Sequence, residues 1–130
     1  MGKKSQVSME FFIFIGLGFI IAITFVIASI DQLNGIRARK EYDAAKDIAL
    51  KLQKEILVAS SVQDGYSRIF QAPDSIIGSN YSITMQNLTL AIKSKSGLYI
   101  VSIPKTSGNI TNGLNIINKT NGEIYIGRAS

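Results

Sequence analysis

From Phe11 to Ile30 every residue except Thr24 and Ser29 is apolar. Twenty residues as a helix span about 30 Å, enough to cross the hydrocarbon core of a bilayer. Past Ile30 the apolar positions thin to a single stripe, Ala38, Tyr42, Ala45, Ala49, Leu52, Ile56 and Ala59. Their alternating steps of four and three keep them on one helical face. Arg39, Lys40, Glu41, Asp43, Lys46, Asp47, Lys51 and Lys54 lie largely off that face. Asp64-Gly65 is a turn signal that closes the run. The pattern predicts one helix from about Gln6 to Val62, apolar all round at first and one-sided later, with Gly35 as a weak point. The alternative for the second half, a two-stranded coiled coil, has only a short, alanine-rich stripe to draw on.

From Tyr66 onward the period changes to that of strands. Segments 67–71, 81–86, 88–93, 98–103, 115–118 and 123–126 alternate apolar with polar or are rich in β-branched residues. Ala72-Pro73-Asp74, Gly78-Ser79-Asn80, Ser96-Gly97, Ser107-Gly108 and Asn121-Gly122 separate them as turns. Lys119–Glu123 reads as a hairpin. A sheet domain of this size has little core of its own, and the stripe on the preceding helix can complete it. The expected fold class is α+β, a long N-terminal helix packed on a small antiparallel β domain.

Composition narrows the chemistry. The chain has no cysteine and no histidine, which removes disulfides, thiolate and imidazole chemistry, and most zinc sites. No glycine-rich phosphate loop follows a strand. Asp64, Asp74 and Glu123 are scattered at turns, where such residues bond locally. We expect no enzyme activity, cofactor or metal; a membrane-tethered enzyme would have to work through those three carboxylates. Net charge is +5, but without Lys3 and Lys4 twelve basic residues face nine acidic ones, leaving +3. No concentrated basic face results, and no specific nucleic acid partner is expected. Arg37, Arg39 and Lys40 suit a solvated face or a membrane-proximal collar.

The apolar run is too long for the core of a secretory signal peptide, and Ala28-Ser29-Ile30 is a poor cleavage site. Basic residues flank it on both sides, so charge does not orient it. Four sequons do: Asn80-Tyr81-Ser82, Asn87-Leu88-Thr89, Asn109-Ile110-Thr111 and Asn118-Lys119-Thr120. Their density favours an exported, glycosylatable surface, with the N-terminus cytoplasmic. Within the run, Phe11 and Phe14 are bulky, while Gly18 and Ala22, four apart, form a notch that admits a second helix.

Gln6-Val7-Ser8-Met9-Glu10, preceded by Lys3-Lys4-Ser5 and followed at once by the apolar run, resembles the class III signal peptide of archaeal type IV pilins. That pattern is Q-x-S-x-E with leucine four residues past the glutamate; here Phe14 stands in the leucine's place. The resemblance covers residues 3 to 30. It implies cleavage between Ser5 and Gln6 by a membrane-embedded prepilin peptidase. Residues 1–5 would be a leader, 6–30 a transmembrane and filament-core helix, 31–64 its amphipathic continuation, and 65–130 the β domain.

Glu10 would then be the fifth mature residue, one turn from the new amine of Gln6. Gln6, Ser8 and Glu10 would serve processing and assembly register. The resemblance further implies a surface filament built from copies of this chain, used in adhesion or surface contact. An assembly ATPase and a membrane platform protein would be partners, and the precursor would reside in the cytoplasmic membrane. The alternative is a minor pilin, or a single-pass surface protein that stays in the membrane.

Overall fold

The computed structural model describes residues 2–130; Met1, the first residue of the expected leader, lies outside them. The fold is α+β: one long helix and seven strands. Helix α1 runs Gly2–Ser61. Gly35 does not interrupt it, consistent with a single glycine costing a helix only about 1 kcal/mol. The chain divides into an N-terminal unit ending at Arg37 and a second unit, Ala38–Ser130.

In the second unit the strands are β1 (Ser67–Ala72), β2 (Ser82–Gln86), β3 (Thr89–Ser94), β4 (Gly97–Ser102), β5 (Thr106–Gly108), β6 (Gly113–Thr120) and β7 (Glu123–Arg128). They form two sheets, ordered β1-β6-β7-β5 and β2-β3-β4. All pairings are antiparallel except β5 with β7, which is parallel. Strand β5 and its parallel pairing depart from the expected all-antiparallel domain. Ser107-Gly108, expected as a turn, lies within β5. Such a short edge strand has no alternation to reveal it, and its place depends on a glycine. Gly108 has φ +95°, and a Cβ there would overlap the Ile126 carbonyl oxygen.

One core joins both sheets to the helix. Ala45, Ala49, Leu52, Ile56 and Ala59 of α1 are buried with Phe70, Leu90, Ile92, Val101, Ile117, Ile124 and Ile126. The helical stripe therefore packs within the chain over five of its seven expected positions. At its N-terminal end it differs: Ala38 and Tyr42 are exposed, and Glu41 is buried instead. The cause is the β3–β4 turn, whose Ser96 hydroxyl donates to Glu41 Oε2. Glu41 Oε1 has no hydrogen-bond partner among the described residues. Tyr42 instead meets Tyr99 edge to face, with ring centroids 5.9 Å apart.

Polar groups lock the rest. Gln53 Nε2 donates to the Ser102 carbonyl at 2.6 Å, tying the helix to β4. Asn115 is fully buried on β6. Its Nδ2 donates to the carbonyls of Thr111 and Gly113, and its Oδ1 accepts from the Thr111 amide. The Tyr81 hydroxyl donates to the Pro73 carbonyl. The expected β6–β7 hairpin is present, with Asn121 and Gly122 both at positive φ; this pair of left-handed residues matches the twist of the flanking strands.

Candidate functional site

The candidate residues of the N-terminal unit all lie on α1. Ser5, Gln6, Ser8 and Glu10 are exposed. Gln6 and Glu10 are one turn apart, about 6 Å along the axis, on one face. Phe11 and Phe14 are 63% and 72% exposed. Gly18 and Ala22 share a face as expected, and with Ile15 and Phe19 they line a shallow apolar groove.

By length and composition, α1 is the one helix among the described residues that could cross a membrane, and none of its most apolar stretch is buried. Leaving so much apolar side-chain surface in water is unfavourable. The two polar side chains in the stretch cost little, because each bonds to its own helix. Thr24 Oγ1 donates to the Ile20 carbonyl at 2.7 Å, and Ser29 Oγ to that of Phe25 at 2.8 Å. Such backward bonds are how hydroxyls are satisfied away from water.

The start of the helix is electrostatically awkward. Its first turn holds no acidic residue and places Lys3 and Lys4 near the positive end of the macrodipole. The helix end in the second unit is resolved differently. The last turn holds no basic residue, but Lys119 Nζ on β6 donates to the carbonyls of Ser60 and Val62 at 2.8 and 2.7 Å. That cation satisfies two terminal carbonyls and complements the negative helix end. Nothing near Lys119 in the sequence announces this role, since its partners lie nearly sixty residues earlier. Asp64 completes the junction, its Oδ1 accepting from the Gly122 amide at 2.9 Å.

The four sequon asparagines fall in different settings. Asn80 precedes β2, Asn87 sits in the β2–β3 turn with φ +34°, Asn109 follows β5, and Asn118 is within β6. The first three are exposed, and Asn118 is half-buried. Among the described residues no group of histidine, cysteine, aspartate or glutamate could hold a metal ion. The Tyr81 phenol is pushed up to about 12, first by burial and second by the Asp74 carboxylate; it serves the fold. No family model, curated protein or solved structure matches the chain.

Proposed function

We propose that the chain is a structural subunit of an archaeal type IV pilus-like surface filament. It would be trimmed between Ser5 and Gln6 and assembled through its apolar helix for adhesion or surface contact. The observation that carries this reading is the placement of Gln6, Ser8 and Glu10 directly ahead of an unburied, membrane-length apolar stretch on one helix. A spanning helix needs no such carboxylate. A helix that leaves lipid to pack against copies of itself can use one, because an unpaired charge in that bundle costs several kcal/mol and penalises every slipped register.

The electrostatics of the helix start support the same reading. Cleavage removes Lys3 and Lys4 from the positive end of the dipole. It also brings Glu10 into the opening turns, where a negative charge is favourable. The freed amine of Gln6 is the matching cation, on the same chain or on a neighbour. The Gly18–Ala22 groove would receive a second helix. The prepilin peptidase, an assembly ATPase and a platform protein in the cytoplasmic membrane would act on the membrane-inserted precursor before it joins the filament.

Mass spectrometry of the N-terminus in sheared surface material tests the proposal. A chain that begins at Gln6 and retains Phe11–Ile30 is the expected result. A chain that keeps its leader and occurs only in membranes refutes it, and leaves a membrane-anchored surface protein.

A further inference from the structure

The sequence offers four glycosylation acceptors as equals; the fold separates them. The transferring enzyme must hold the whole tripeptide, because it engages both the asparagine amide and the hydroxyl two residues on. In Asn80-Tyr81-Ser82 the middle residue is 7% exposed and held by its hydroxyl on Pro73. In Asn109-Ile110-Thr111 the middle residue is 4% exposed. The Thr111 amide and hydroxyl of that sequon both donate to the buried Asn115 Oδ1. Asn118 is paired with Ser67 on one side and Tyr125 on the other. Its neighbour Lys119 holds the end of α1. Only in Asn87-Leu88-Thr89 are all three residues exposed. They form the two-residue β2–β3 turn and the first residue of β3. The Thr89 hydroxyl has one solvent-accessible bond, to the Gln86 carbonyl at 3.2 Å, which is cheap to give up at the surface.

Beside Asn87 lies an open groove of about 440 Å³, lined by Met85, Gln86, Thr106, Ser107 and Gly108 as well as Asn87 itself. Its far wall is β5, the edge of the four-stranded sheet, where backbone groups lack a neighbouring strand. Amide and hydroxyl side chains together with a free strand edge supply the donors and acceptors that sugar hydroxyls require, and the volume is that of a small-ligand cleft.

We propose that Asn87 is the acceptor this fold presents for N-glycosylation, and that the first sugars attached there lie in the groove against β5. The proposal rests on the reading that the second unit is exported. Asn87 Nδ2 attacks the anomeric carbon of a sugar activated as a phosphate ester on a carrier. The carbon–oxygen bond to phosphate breaks, the amide loses one proton, and the carrier phosphate leaves. The glycan then covers the exposed end of the edge strand.

Glycopeptide mass spectrometry on the full chain from its own surface material tests the acceptor. The expected result is higher occupancy at Asn87 than at Asn80, Asn109 or Asn118, lost in Asn87→Gln and in Thr89→Ala. A bare Asn87, with sugar elsewhere or nowhere, overturns it. Amide hydrogen exchange tests the groove: residues 106–108 should exchange more slowly in the glycosylated chain than in Asn87→Gln. Equal rates overturn the seating. The same spectra report the N-terminus independently. A chain starting at Gln6 with Asn87 bare overturns the acceptor alone. A chain with its leader intact and Asn87 glycosylated overturns the filament reading alone.

Discussion

Tyr81 shows how much a single side chain contributes that its residue type does not disclose. Burial and the Asp74 carboxylate keep its phenol protonated to about 12, against an ordinary value near 10. A group with a raised pKa contributes stability that is fully present below its unfolded value and is lost as pH rises through the folded one. The chain in detergent should therefore lose stability between pH 10 and about 12. The fall in urea midpoint over that window should be smaller in Tyr81→Phe. Equal falls would show that the phenol carries none of the alkaline loss. Asn115 makes the related point for a polar residue. Strand alternation placed it within a strand, but its complete burial follows from the 111–113 backbone folding over it to satisfy both ends of its amide.

Among elements, α1 was the most legible. Its apolar run and its stripe are periodic, and periodicity is a local property. The stripe failed only at its N-terminal end, where Ala38 and Tyr42 are exposed and a turn more than fifty residues away covers Glu41 instead. The end of α1 depends on the same kind of distant contact. Replacing Lys119 with Met keeps the stem and removes the charge from the Ser60 and Val62 carbonyls. Leaving such groups unpartnered costs about 1–3 kcal/mol, so Lys119→Met should lower the melting temperature. A value matching the original chain would assign the helix end to other groups. All six expected strand segments match observed strands to within about two residues at each end. Strand β5 was missed, because three residues are too short for a pattern and its glycine reads as a turn.

For the whole molecule, the proposed assembly residues and the buried core fall in different units, the former in the N-terminal unit and the latter in the second. Glu10→Ala should therefore leave the melting of the β domain unchanged. If a pairing of even about 1.4 kcal/mol per contact is lost, filament yield in sheared material should fall about tenfold or more. Normal filaments from Glu10→Ala would remove the register role. The membrane-length helix, the α+β class and the stripe that fills the core were all readable from the chain alone. Each is a repeat or spacing within a few turns of chain. The division into two sheets, the parallel β5–β7 pair, the burial of Glu41 and Asn115, and the Lys119 cap emerge only in the folded chain. It alone also distinguished the four sequons. These depend on which distant backbone groups meet, and that is set by packing the whole chain around one core.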